Sequence, residues 1–195
     1  MDRIEMKPGI YMSPLPAVMV TCGSAEHPNI CTVAWTGVIC SDPPRLYISL
    51  MKRRYSHSLI SDSGEFVINL VSKDLVRAAD YCGVRSGRDT DKFADCGITP
   101  CQSLHVSCPS LSESPLSIEC RVFEVKELGS HDMFMADVVG VTADPDLFND
   151  QNKLMYGRAD LAAYSHGSYI ELGKKLGDFG FSVEKKSTKR RKARR

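Results

Sequence analysis

No stretch of this 195-residue chain approaches the roughly 20 consecutive apolar residues that a membrane-crossing helix needs. The first 16 residues include Asp2, Arg3, Glu5 and Lys7, and they lack the basic-then-apolar layout of a secretory signal. A cytoplasmic protein is the expectation. No cysteine pair has C-x-x-C spacing, and none is followed by a histidine at zinc-finger spacing. Without an export signal, the eight cysteines are expected to be reduced thiols, several of them buried as small apolar side chains, and no metal site is expected. A Walker loop is missing, which argues against a P-loop nucleotide site. So is G-x-G-x-x-G, which argues against a Rossmann site. There is no G-x-S-x-G elbow, no H-E-x-x-H and no Ser/His/Asp order, so hydrolytic chemistry has little support. Tryptophan occurs once, at Trp35.

What is present is an ordinary globular composition, 43% apolar, long enough to bury a core without staples. The formal net charge of +1 hides an asymmetry. Residues 185–195 hold eight cations and no acid, which leaves 17 basic and 24 acidic residues elsewhere, a net charge of −7. Residues 1–183 are therefore read as one domain and residues 184–195 as a basic, mobile tail. No aromatic residue interleaves with the tail's cations to stack on bases, so nucleic acid is not the expected partner. No membrane partner is expected either.

The pattern is mainly that of strands. Residues 17–21 read as a first strand, 23–28 as a turn, and 29–39 as a second strand ended by Asp42-Pro43-Pro44. Residues 45–51 alternate, with Leu46, Ile48 and Leu50 on one face. Residues 55–62 suit a short helix that Ser56 can cap, with Leu59 and Ile60 toward the core and Gly64 ending it. A strand over 66–71 follows, then a helix over 73–81 and a polar loop over 82–93 running into a short helix. Residues 117–128 and 132–143 read as strands joined at Gly129-Ser130-His131, with Glu119 and Arg121 on a wet face. Residues 169–173 suggest a last short strand. Many strands, short connections and brief helices point to a closed or nearly closed antiparallel barrel.

Two clusters carry chemistry. Lys52-Arg53-Arg54-Tyr55-Ser56-His57 gathers cations, a hydroxyl and an imidazole at a strand-to-helix corner, where free helix amides point outward. This suits a phosphate, and it equally suits a solvated basic turn with an ordinary serine cap. Residues 29–35, with Thr32, Ala34 and Trp35, offer an apolar wall with polar edges for a flat heterocycle, and they also fit a plain core strand with a packed tryptophan. The donors of residues 86–92 can close over a polar ligand tail. His131 sits at a strand corner.

In order along the chain come N-x-x-T-x-A-W, a Pro-Pro turn, R-Y-S-H, G-E-F-x-x-N, S-G-R-D-x-D-K-F and G-S-H-D. This series resembles the flavin reductase-like family, specifically its flavoredoxin branch, over about residues 14–173. The resemblance implies an FMN-binding split barrel: a six-stranded antiparallel Greek-key barrel with short flanking helices, generally a homodimer with FMN near the subunit interface. It implies that Thr32, Val33, Ala34 and Trp35 lie along the flavin, with Ser49, Leu50 and Met51 on the same side. Arg54, Ser56 and His57 would approach the phosphate, Ser86 and Lys92 would add donors, and His131 would stand at the open face of the ring, where a nicotinamide can dock. The implied activity is an oxidoreductase passing electrons from NAD(P)H through FMN to an acceptor. Two alternatives are an FMN-bound electron carrier reduced by a redox partner, and a non-enzymatic binding module that uses the basic tail.

Overall fold

The computed structural model describes residues 3–183; the basic tail expected at 184–195 lies outside them. The strands are β1 (Leu15–Pro16), β2 (Val18–Gly23), β3 (Pro28–Val33), β4 (Thr36–Ser41), β5 (Pro44–Met51), β6 (Glu65–Leu70), β7 (Pro100–Cys101), β8 (Ser110–Leu111), β9 (Leu116–Glu127), β10 (His131–Ala143), β11 (Ala162–Ser165) and β12 (Ser168–Glu171). The helices are α1 (Tyr55–Ser63), α2 (Val76–Val84) and α3 (Lys92–Cys96).

Seven strands form one antiparallel sheet in the order β3-β2-β6-β9-β10-β5-β4. The single strand expected over residues 29–39 is in fact two. The chain pairs with β2 as far as Val33, breaks at Ala34-Trp35, and then pairs with β5 from Thr36. At the break the Trp35 carbonyl accepts the Ser49 N–H at 2.8 Å, which ties the bend to the far end of the sheet. Six strands thus curl into a split barrel, and the bent excursion β3–β4 closes it. A hydrophobic pattern cannot show such a bend, because both halves have the same strand-like composition.

The alternation in β5 is as expected: Leu46, Ile48 and Leu50 are buried and their neighbours half-buried. These three join Val18, Val20, Val33, Phe66, Ile68 and Phe134 inside the barrel. Phe66 and Phe134 are fully buried, and each contributes roughly 1.5–3 kcal/mol by leaving water. The second core lies outside the barrel wall, where Met19 and Ile30 meet Leu75, Ala79 and Cys82 of the α2 region and Phe93 of α3. Strand β2 therefore feeds two cores from its two faces. All eight cysteines are free thiols and five are buried, as the composition suggested.

Three local expectations are corrected. Ser56 does not cap α1: the cap residue is Arg54, which makes no side-chain cap bond, and Ser56 is buried in the first turn. Gly64 does end the helix, at φ 69° with its N–H on the Ile60 carbonyl. The helix expected over 73–81 starts as a 3-10 turn at Lys73–Leu75 and runs on to Val84. Glu119 is not on a wet face; it is 1% exposed because residues 103–108 fold over it.

A second sheet has the order β1-β11-β12, and Ala162 of β11 joins Ala78, Ala79 and Cys82 of α2 in the second core. Its β11–β12 hairpin turns at His166 (φ 48°) and Gly167 (φ 91°), two positive φ values in succession that match the right-handed twist of the flanking strands.

Candidate functional site

The end of β5 and the start of α1 place the basic cluster, and the structure divides it. Lys52 reaches the acids of the β9–β10 corner, 2.7 Å from Glu127 and 3.3 Å from Asp132. His57 Nε2 is 2.7 Å from Asp132 Oδ2, and its ring meets Phe134 edge-on. Burial works to raise the Asp132 carboxyl, but His57 and Lys52 outweigh it and hold the group below its ordinary range. These contacts clamp α1 to β10.

Arg54 and Ser56 turn the other way. Arg54 Nη1 donates to the Gly83 carbonyl at 2.6 Å. Ser56 Oγ accepts from Asn29 Nδ2 at 2.7 Å. Lys92, at the start of α3, is 4% exposed, and its Nζ donates to the carbonyls of Ile30 at 2.7 Å and Cys82 at 2.9 Å. Burial pushes its ammonium below the usual lysine range. The Cys82 and Gly83 carbonyls belong to the last turn of α2, the negative end of that helix. They hold two cations in place without neutralising them. Among the described residues, neither Arg54 nor Lys92 has a carboxylate partner.

Two cavities meet at these cations. One, of about 320 Å³, is lined by Thr32, Val33, Ala34, Trp35, Ser49, Leu50, Met51, Arg54 and His131, together with Ala17, Asp80, Gly83, Val84, Tyr164, Gly167 and Tyr169. The other, of about 440 Å³, is lined by Asn29, Cys31, Arg53, Arg54, Tyr55, Ser56, Gly83, Val84, Arg85, Ser86, Gly87 and Lys92. Arg54, Gly83 and Val84 belong to both. The first is a cleft along the β3–β4 bend; the second is a cationic hole at the N-terminus of α1. Of the thirteen residues singled out in the sequence, twelve line one or both cavities. His57 lines neither, its imidazole being committed to Asp132.

In the cleft, the His131 ring lies 4.4 Å from the Trp35 ring, tilted by 38°. Ser130 Oγ is 2.9 Å from His131 Nδ1, which leaves Nε2 available. Burial, and then the Arg54 charge, hold the imidazole below its ordinary pKa, so it is neutral at pH 7. Thr32 Oγ1 is spent on the Ala79 carbonyl. Across the cleft, burial and the neighbouring Asp80 push the Tyr169 phenol up to about 12.

Asn29, Asp80, Gly83, Gly87, Tyr164 and Tyr169 were not named as site residues from the sequence, although Asn29 and Gly87 stand in the series N-x-x-T-x-A-W and S-G-R-D-x-D-K-F. The two tyrosines flank Ser165-His166-Gly167-Ser168, a hairpin signal that was there to be read. Gly87 belongs to the S-G-R-D-x-D-K-F series, but nothing in the sequence marks its close approach to Asn29. A Cβ there would stand 2.0 Å from Asn29 Oδ1. Gly87→Ala must push Asn29 off Ser56, and it is expected to open the cationic hole and lower the melting temperature by several degrees, read by circular dichroism. An unchanged melting curve would show that Asn29 yields freely.

A flat cleft ending in unneutralised cations and a helix N-terminus fits a planar group with an anionic tail. The comparisons with known proteins agree. The model of the flavin reductase-like domain matches residues 11–165. The structure superposes on flavoredoxin of Desulfovibrio vulgaris (Miyazaki F) with a TM-score of 0.86 and 29% identity, covering 94% of this chain and 100% of that one. An uncharacterised protein of Archaeoglobus fulgidus is 32% identical over 140 residues, 72% of this chain and 78% of its own. The reductase component of 4-nitrophenol 4-monooxygenase/4-nitrocatechol 2-monooxygenase from Rhodococcus opacus is 28% identical, covering 73% of this chain and 74% of that one. With the domain matched over most of its length and the split barrel in place, this chain belongs to the flavin reductase-like family.

Proposed function

We propose that this protein is an FMN-dependent oxidoreductase that takes electrons from NAD(P)H and passes them to an acceptor, working in the cytoplasm as a homodimer. The observation that carries the reading is the pair of cations, Arg54 and Lys92, held by carbonyls and left uncompensated at the end of a flat cleft. A phosphate there gains charge-assisted hydrogen bonds without breaking any ion pair among the described residues. Ser56 and Ser86 supply further hydroxyls. The bend at Thr32 to Trp35 and the strand end at Ser49 to Met51 flank the ring position.

The flavin supplies the hydride and electron chemistry; the chain supplies placement and electrostatics. Arg54 lies at the junction of the two cavities, where it would hold a flavin between its ring and its phosphate tail. Trp35 and His131 form one wall and exclude water. His131, neutral and oriented through Nδ1, presents Nε2 as a hydrogen-bonding atom at the ring's open face, where a nicotinamide would dock.

The purified protein should be yellow, and NADH or NADPH added anaerobically should bleach it. A colourless preparation that ignores added FMN would sink the reading. Slow bleaching by both nicotinamides with fast reduction by a redox protein would favour an electron carrier, in line with the flavoredoxin it resembles.

A further inference from the structure

Cys82 and Cys96 stand side by side beneath the lip of the cationic hole. Cys82 is in the last turn of α2, and Cys96 is the last residue of α3. The two helices are tied together on either side of the pair. The Tyr81 hydroxyl donates to Asp95 at 2.6 Å, and the Cys82 carbonyl accepts from Lys92 Nζ at 2.9 Å. Lys92 and Cys96 are four positions apart and so share one face of α3, the face turned to α2. Cys82 is fully buried in the second core, and Cys96 packs against it half-buried. The Cys82 thiol donates a hydrogen bond to the Cys96 sulfur.

The two thiols differ in access. Cys96 lines a cleft of about 920 Å³ together with Tyr81, Arg85 and Gly97, whereas Cys82 is 0% exposed. Burial pushes the Cys82 thiol up to about 12. Burial raises Cys96 as well, but there the hydrogen bond from Cys82 works against it. Cys96 is thus the thiol that meets a reagent first, and its reaction should quicken as pH rises and the thiolate forms.

We infer that Cys82 and Cys96 form a reversible disulfide when a hydroperoxide enters this cleft. The Cys96 thiolate attacks the terminal peroxide oxygen. The O–O bond breaks, the departing alkoxide takes up the proton that Cys96 gave to solvent, and Cys96 becomes a sulfenic acid. The Cys82 sulfur then attacks the Cys96 sulfur. The S–S bond forms, the S–O bond breaks, and hydroxide leaves with the Cys82 proton as water. The two thiols lose two electrons and the peroxide gains them. The bond closes a loop over residues 83–95, which carries Gly83, Ser86, Gly87 and Lys92 of the cationic hole. It therefore staples the lip of that hole without using any of its polar side chains. A disulfide of this transient kind is the one that a reducing compartment allows. The inference does not rest on the flavin.

Peptide mapping without reduction tests it, on the full chain carrying Cys40→Ser and Cys101→Ser to remove two thiols that are not buried. After hydrogen peroxide, the intact mass should fall by two hydrogens and two free thiols should disappear, both changes being reversed by dithiothreitol. Proteolysis should give one linked pair of peptides, joining Cys82 to Cys96. The closed loop should raise the melting temperature by about 6–12 °C over the reduced form. Adding Cys96→Ser should abolish the link and the rise together. A map that shows Cys96 as a sulfinic acid with Cys82 still a free thiol overturns the inference, as does a link from Cys82 to any other cysteine. Linked protein that melts with the reduced form overturns the stapling of the loop.

Discussion

Lys92→Met is expected to weaken FMN binding by about one to two factors of ten, while riboflavin binding stays within twofold of the wild type. The first half follows from the value of a charge-assisted hydrogen bond, about 1.5–3 kcal/mol, converted at about 1.4 kcal/mol per factor of ten. Lys92 is buried at 4% exposure and already donates to two carbonyls, so its ammonium has one proton left for a ligand. Burial in a site without a carboxylate partner destabilises its charge, and an arriving phosphate relieves that cost. The second half separates an anchoring role from a merely structural one. Riboflavin carries the same ring without the phosphate. If Lys92 only braced α2 against β3, the loss of its bonds to Cys82 and Ile30 would disturb the cleft for both ligands alike. Titrations of the two ligands, followed by flavin fluorescence, decide the matter, and equal losses would remove Lys92 from the phosphate site.

Lys92 also shows what a sequence can and cannot reveal. Its motif, S-G-R-D-x-D-K-F, draws attention to it, and the structure adds the cap of α3, where Asp91 accepts from Phe93 N–H at 3.1 Å and Ala94 N–H at 3.2 Å. That its ammonium would meet Ile30, 62 positions away, is a matter of tertiary packing. The same divide runs through the chain. Alternation in β5 and the stop at Gly64 are local signals, and the fold obeys them. The bend at Ala34-Trp35 is dictated by closure of the barrel, which no window of residues records. The hexad Lys52 to His57 illustrates the limit most clearly. Its composition suits an anion site or a solvated basic turn alike, and Lys52 and His57 face the acids of β9 and β10 while Arg54 and Ser56 face the cationic hole. One helical turn sends neighbouring residues in different directions, so the cluster had to be sorted by structure. The hairpin over β11–β12 was only partly legible, as a last short strand over residues 169–173, because short strands and turns carry little periodicity.

Glu119 is the residue whose pattern misled most, and it yields the largest expected effect on stability. Strand β9 alternates Glu119 and Arg121 with apolar neighbours, the usual mark of a solvent-facing side. Here residues 103–108 lie across that side. Glu119 accepts the Leu104 N–H at 2.9 Å through Oε1 and the His105 N–H at 2.6 Å through Oε2. Glu65 repeats the device one strand away, taking the N–H and hydroxyl of Ser107 at 2.8 and 2.7 Å. Two carboxylates thus satisfy three backbone donors of a connection that has no ladder of its own there. Gly140 on β10 makes the room: a Cβ at that position would meet His105 Cδ2 at 2.5 Å and Glu119 Cδ at 3.3 Å. Glu119→Ala leaves two backbone N–H groups without partners under a covered surface, at about 1–3 kcal/mol each. A total loss of about 2–6 kcal/mol is expected, or roughly 4–24 °C in melting temperature for a chain of this size. Glu119→Gln keeps one acceptor oxygen and should fall between the variant and the wild type. Arg121→Ala removes an exposed pair and should change stability by less than about 1 kcal/mol. Thermal unfolding followed by circular dichroism measures all three. If Glu119→Ala melts within a degree of the wild type, the connection is held by its apolar contacts instead, and the carboxylate is buried without structural consequence.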